Sequence, residues 1–227
     1  KAKGKGRKSE EMEVLGEEKS TPTKTKKTKK RVERILAKRE PQMVEGPKNA
    51  LIIRGQKTSQ TIKDVLADYA LLLQPFNKNF SRKNDVLPCE DTNSLEFLCD
   101  KNDCATFALG THSKKRPDNL VLGRMFDGHL LDMYEFGVTN VKRVQEFSGA
   151  KKKAVGSKPL LVFLGETWEQ DTKYERIQNL LTDVFRGPRN DKLALTAIDH
   201  MISFTVNDEG KILMRSYATD FLHSGSK

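Results

Sequence analysis

Asp127-Gly128 stands between two apolar runs, Asn119–Phe126 and residues 129–138, and narrows the fold more than any other dipeptide in the chain. A type I′ turn needs positive φ at both central residues, which Asp-Gly accepts readily, so the pair marks a β-hairpin. A helix is the competing reading, because Phe126, Leu130, Met133 and Tyr134 could share one helical face. Gly123, Gly128 and Gly137 oppose it, since each glycine costs about 1 kcal/mol in a helix interior. A short β-like run at 105–110 and a polar basic loop at 111–118 precede the hairpin. The loop therefore presents His112, Lys114, Lys115 and Arg116 at the end of a rigid sheet.

The flanking pattern alternates strands and helices. Residues 49–54 are a brief apolar run, short enough for an edge strand. Thr58 or Ser59 then caps a helix whose stripe is Ile62, Val65, Leu66, Tyr69 and Leu73, and Gln74-Pro75 ends it. Residues 75–91 read as a connection holding a basic knot of Lys78, Arg82 and Lys83. Phe76 and Phe80 beside that knot form the best base-stacking arrangement in the chain, although such rings are more often core anchors. A second short helix spans about 92–101. Val141, Val144 and Phe147 fall at helical spacing, and the lysines at 151–153 read as an exposed loop. Residues 159–165 suit a strand buried on both faces. Asp171 caps a long helix with Tyr174, Ile177, Leu180, Leu181, Val184 and Phe185 on its stripe, stopped at Gly187-Pro188. Ile202, Phe204 and Val206 alternate, 207–210 turn, and Ile212, Met214 and Ser216 alternate back as a second hairpin. The order predicts an α/β (α+β) fold of mixed sheets with packed helices.

Charge divides the chain unevenly. Residues 1–40 hold 15 of its 41 Lys and Arg against 7 Asp and Glu, whereas the other 187 residues are close to neutral. A concentrated basic arm points to a polyanion, most often nucleic acid; the alternatives are a solvated charge run or a nuclear-localisation signal at 24–31. Residues 1–23 offer almost nothing apolar to offset the entropy of ordering and are expected to be disordered until bound. From 26 to 38, Val32, Ile35 and Leu36 at helical spacing predict a short basic helix that ends near Pro41. The expected organisation is a basic extension at 1–46, a domain at 47–221 and a tail at 222–227.

No phosphate-cradle, serine-hydrolase or zinc-protease motif occurs. Asp132 and Glu135 face opposite sides of a strand in the hairpin register, so they do not converge with Asp127 on a metal. Pro117-Asp118 with Asp171-Thr172-Lys173 imitates a nuclease motif, but loop chemistry and a helix cap account for the two aspartates better. Cys89, Cys99, Cys104 and His112 lack the paired spacing of a structural zinc site. Three cysteines also make no disulfide framework, which fits a reducing compartment. No metal, cofactor or catalytic residue is expected. There is no apolar run long enough for a membrane helix, and no signal region follows the opening Lys1.

Four stretches resemble the Brix-domain family. They are residues 104–138; Ala37-Lys38-Arg39-Glu40-Pro41; Arg82-Lys83-Asn84-Asp85 with Glu90-Asp91 and Ser94-Leu95-Glu96-Phe97; and residues 158–163 with Val184-Phe185-Arg186-Gly187-Pro188. They follow the family's order over roughly residues 24–218. The resemblance implies a non-enzymatic ribosome assembly factor of the nucleolus that binds 5S and large-subunit precursor ribosomal RNA. It also implies a partner protein, the regulator of ribosome synthesis, and the two ribosomal proteins that accompany 5S RNA. The residues expected at RNA are Lys26, Lys27, Lys29, Lys30, Arg31, Arg34, Lys38 and Arg39 in the arm; Lys78, Arg82 and Lys83 in the knot; His112, Lys114, Lys115 and Arg116 in the loop; and Arg124. In the family a Glu-Ile-Gly-Pro-Arg-like segment follows the second hairpin. This chain ends at Lys227 without it, which leaves the last sheet a strand short or completed by a partner. The alternative is a protein-interaction scaffold whose arm is only an import signal.

Overall fold

The computed structural model describes residues 30–40, 46–147, 149, 152–189, 192 and 194–220. The chain divides into two units between Met43 and Val44. In the first, helix α1 spans Lys30–Arg39, with Lys30, Arg31 and Arg34 exposed beside an exposed apolar stripe of Val32, Ile35 and Leu36. The expectations for residues 1–23, for Lys26, Lys27 and Lys29, for the side chains of Lys38 and Arg39 and for the tail at 222–227 lie outside the described residues.

The second unit holds a five-stranded sheet and a three-stranded sheet. In chain order its elements are β1 Ala50–Gly55, α2 Gln60–Leu73, β2 Asn77–Asn84, α3 Asn93–Asn102, β3 Thr106–Thr111, β4 Asn119–Phe126 and β5 His129–Gly137. Then come β6 Leu160–Leu164, α4 Thr167–Gln170, α5 Thr172–Phe185, β7 His200–Val206 and β8 Ile212–Ala218. The first sheet runs β2-β1-β3-β4-β5, with β1 parallel to both its neighbours and β3, β4 and β5 antiparallel; the second runs β6-β7-β8. Mixed sheets with packed helices are thus the fold. Asp127 and Gly128 both take positive φ, 50° and 78°, so the turn that joins β4 to β5 follows from those two residues.

Helices α2 and α5 lie between the two sheets. Ser59 caps α2 by accepting from the Ile62 amide at 3.1 Å, and Asp171 caps α5 by accepting from the Lys173 amide at 2.8 Å. Their apolar stripes meet, with the Tyr69 and Phe185 rings 5.3 Å apart edge to face, and share a core with Ile52, Ala108 and Leu122 of one sheet and Ile202 and Phe204 of the other. The opposite face of the first sheet is closed by α3, whose Leu95 and Cys99 pack on Leu51, Ile53, Phe107 and Leu109. The first sheet is therefore covered on both faces, and its interior strands carry near-continuous apolar runs.

Four expectations are corrected. Residues 50–55 are an interior strand rather than an edge, because Ala50, Leu51, Ile52 and Ile53 are apolar toward both cores. The basic knot is not a connection but β2, the edge strand, bulged opposite Ile53 and Arg54. Its sequence NKNFSRKN lacks apolar alternation because most of it faces solvent; only Phe80 packs inward. Among the described residues, 160–164 form an edge strand paired to β7 alone, with Leu160 and Leu164 half exposed at 46% and 48%. Around Val144 there is one 3-10 turn instead of a helix, and Val144 and Phe147 stay exposed, so their spacing buries no helical stripe among the described residues.

Candidate nucleic-acid interface

The carboxyl ends of β1, β2 and β3 meet at one end of the first sheet, where open α/β sheets place their ligands. Two loops close this end. The Lys57 carbonyl accepts from the His112 amide at 2.8 Å, tying the β1–α2 loop to the β3–β4 loop. Asp118, at a φ of 44°, donates its amide to His112 Nδ1 at 3.1 Å and accepts the Ser59 hydroxyl on its carboxylate. Ser113 and Arg116 bond reciprocally, the Ser113 amide to the Arg116 carbonyl at 3.0 Å and the Arg116 amide to Ser113 Oγ at 3.1 Å. The basic loop is therefore fixed in shape and fastened to the cap of α2.

Between the loops lies a concavity of about 550 Å³ lined by Arg54, Gln56, Lys57, Thr58, Lys63, Lys83, His112, Ser113 and Lys114. Arg54 Nε donates to Thr58 Oγ1 at 3.1 Å, which ties the guanidinium to the β1–α2 loop. Among the described residues, neither Arg54 nor Lys57, Lys63, Lys83 or Lys114 pairs with a carboxylate. Like charges concentrated without compensation attract anions.

The expected residues separate here. Lys83, His112 and Lys114 come together in the concavity. Lys115 is exposed on the same loop, and Arg82 is exposed on the outer edge of β2 in a shallow depression with Asn79, Phe80, Ser81 and Asn84, where Phe80 is half-buried and packs on the core below. Arg116 turns the other way and pairs with Glu135 at 2.9 Å. Lys78 sits at the far end of β2, its amine on the Asn102 carbonyl. Arg124 is drawn off altogether, held by Asp132 and Asp183 with 18% of its side chain exposed. Lys153 is not an exposed loop residue either: it is half-buried, and its amine donates to the Leu72 carbonyl at 2.7 Å at the end of α2.

Arg54, Lys57 and Lys63 belong to the site although no pattern in the sequence singles them out. The usable signal is the strand–loop–helix order around them, and it speaks only once β1 is known to be a central strand. The second half of the unit supplies a contrast. There β6, α5 and β7 repeat the parallel strand–helix–strand arrangement of β1, α2 and β3. The Tyr174 hydroxyl donates to the Gly210 carbonyl at 2.9 Å, which brings the 207–210 turn against the first turn of α5. That end carries Glu166, Glu169, Asp171, Asp208 and Glu209 against Lys173 and Lys211, the latter paired with Glu209 at 2.5 Å, so the same backbone pattern is acidic on balance.

Among the described residues, no three His, Cys, Asp or Glu side chains group as metal ligands, and no helix is long and apolar enough to cross a membrane. Burial pushes the Cys99 thiol up to about 12, reinforced by Cys104 nearby, and the Cys104 thiol up to about 11.

A profile of the Brix domain matches residues 55–227. The ribosome production factor 2 homolog of Drosophila melanogaster is 43% identical over 206 residues, covering 90% of this chain and 62% of that protein. The homolog of Homo sapiens is 40% identical over 198 residues, covering 87% and 64%. The chain thus spans less than two thirds of the length of either relative. Among solved structures, the crystal structure of a probable ribosomal biogenesis protein from Aeropyrum pernix K1 superposes with a TM-score of 0.50 at 12% identity, covering 74% of this chain and 88% of that one, a likeness of fold alone. Two mixed sheets around a shared helical layer, the matched profile and relatives of about two-fifths identity agree: the chain belongs to the Brix-domain family.

Proposed function

We propose that this chain is a non-enzymatic ribosome assembly factor that binds ribosomal RNA through the cationic end of its first sheet. In this reading it helps bring the 5S ribonucleoprotein into the large-subunit precursor in the nucleolus. Its partners there are 5S and precursor ribosomal RNA, the 5S-associated ribosomal proteins and the regulator of ribosome synthesis. The observation that carries the reading is the set of five cations around one concavity with no carboxylate among the described residues that line it, held by loops that hydrogen-bond to each other. Phosphate contacts from a rigid scaffold set orientation as well as affinity. Relatives named as ribosome production factors supply the setting. The extension at 1–46 contributes long-range attraction in this scheme, and the domain at 47–221 contributes the fixed contacts.

A specific observation favours the scaffold reading as a second possibility. The outer face of the second sheet leaves Leu160, Leu164, Leu213 and Tyr217 between 39% and 48% exposed, an apolar surface of the sort that partners cover. Salt separates the two. Each phosphate contact contributes roughly −0.9 to the slope of log K against log salt on a duplex. Binding of 5S RNA should weaken steeply with salt, and deletion of residues 1–40 with their 15 basic side chains should flatten the slope while preserving preference for 5S over an unrelated RNA. Salt-insensitive binding would favour the scaffold.

A further inference from the structure

We infer that the concavity is a clustered-phosphate site, which takes two or more phosphate groups at once rather than one backbone phosphate. The inference rests on the reading of this end as the RNA-binding end and specifies what part of an RNA it accepts.

Charge sets the minimum. Arg54 at the end of β1, Lys57 in the following loop, Lys63 on α2, Lys83 at the end of β2 and Lys114 in the β3–β4 loop surround a space of about 550 Å³. Like charges gathered round one concavity, none of them paired with a carboxylate among the described residues, raise the local positive potential. A phosphodiester carries one negative charge, and even a terminal phosphate carries only about 1.5 to 2 at neutral pH. A single group leaves most of the five cations uncompensated. Two or three adjoining groups compensate correspondingly more of them.

Size and lining agree. The volume falls in the range of roughly 300–1,000 Å³ typical of small-ligand sites, far larger than one phosphate needs. Among the described residues no Phe, Tyr or Trp lines it, so none of them offers a ring on which a base could stack. Thr58, Gln56 and Ser113 instead add hydroxyl and amide donors beside the cations, which suits phosphate oxygens. The matching end of the second half, with five carboxylates against Lys173 and Lys211, is acidic on balance and does not suit the same ligand. Clustered phosphates occur at an RNA 5′ end bearing a polyphosphate and where an RNA backbone turns sharply.

The test uses the whole chain and one short single-stranded RNA prepared with a 5′-triphosphate, a 5′-monophosphate or a 5′-hydroxyl, with inorganic tripolyphosphate as competitor. Lys57→Gln/Lys83→Gln is the variant, since both side chains are exposed and their loss leaves the core intact; unfolding curves confirm that it folds. The expected result is that tripolyphosphate displaces RNA from the wild type and about tenfold less effectively from the variant. If the triphosphate end binds more tightly than the hydroxyl end, the source is a chain terminus; if all three ends bind alike under the same competition, it is a turned backbone. Both outcomes support a clustered-phosphate site. Tripolyphosphate that fails to compete, while RNA binding still falls in the variant, overturns the inference and leaves the RNA reading standing. Tripolyphosphate that binds a chain with no affinity for any RNA retains the site and removes the RNA reading.

Discussion

Arg124 and Asp183 stand 59 positions apart in the chain, and the Nη1 of one donates to the carboxylate of the other at 2.6 Å. Asp132 takes the remaining edge of the guanidinium at 2.8 and 2.7 Å, and Lys48 reaches Asp183 from the other side at 3.0 Å. One arginine on β4 therefore joins the first sheet to α5. Burial alone would raise the Asp183 carboxyl, but the hydrogen bonds from Arg124 and Lys48 hold it below the usual carboxylate range.

Arg124→Ala should cost about 2–4 kcal/mol of stability, because Asp132 loses its partner and Asp183 keeps only Lys48 in a poorly hydrated place. The low end applies, since Arg124 and Asp183 keep 18% and 19% exposure. Arg124→Lys should recover only part, lacking the two-pronged geometry. A depressed carboxyl stabilises the fold above its unfolded value of about 3.9 and loses that contribution as pH falls through its folded value. Urea unfolding below about pH 4 should therefore show an acid-dependent loss in the wild type that is reduced in the variant. Affinity for RNA should not change. A drop in affinity with stability intact would return Arg124 to the interface.

Gly123→Ala and Gly137→Ala should differ sharply although both lie in the same hairpin. A Cβ at 123 would meet Phe107 Cζ at 2.5 Å and the Asp132 carbonyl at 2.7 Å, whereas one at 137 meets nothing within 4 Å. The first should cost about 1–3 kcal/mol by overpacking, and the second should be near neutral. Thermal unfolding of the two variants decides it; equal losses would mean that the β3–β4 packing is not as described.

His200 supplies a pH dependence near neutrality. Its side chain is 3% exposed, its Nδ1 donates to Asp199 at 2.7 Å, and its Nε2 has no partner among the described residues. Burial holds the imidazole below its ordinary value; Asp199 opposes that and Lys153 adds to it. The neutral ring is thus favoured in the fold. Its stabilising contribution is present above the unfolded value of about 6.5 and is lost as pH falls from there through the folded value. The urea midpoint should decline in that window for the wild type and less so for His200→Gln. An identical decline in both would assign the titration elsewhere.

The sequence carried the parts of the fold that local chemistry decides. Asp127-Gly128 specified a hairpin because only a few residues accept two successive positive φ angles, and the α5 stripe was legible because all six of its residues are buried. Edge strands were not legible. An edge strand such as β2 needs no apolar alternation, and the apolar run of β6 says nothing about how many neighbours it has. The site was half legible for a related reason. Lys83, His112 and Lys114 announced themselves as clustered charge, whereas Arg54, Lys57 and Lys63 join them only through parallel pairing of β1 with β2 and β3. Arg124 shows the converse: residue type gives a charge, but its partner lies on a distant helix.

Charge reversal at matched positions tests the central claim most directly. Lys57, Lys83 and Lys114, all exposed, are changed to Glu in one variant, and Lys101, Lys152 and Lys192, exposed and outside the concavity, in the other. The two variants alter net charge equally, and surface changes of this sort cost under about 0.5 kcal/mol each in stability. The equilibrium dissociation constant for 5S RNA is measured over a series of salt concentrations. The account predicts at least about tenfold weaker binding for the first variant, with a salt slope shallower by roughly 0.9 for each phosphate no longer neutralised, and a much smaller change for the second. Equal weakening in both would show that only total charge matters and would contradict the assignment of this end of the first sheet as the RNA-binding face.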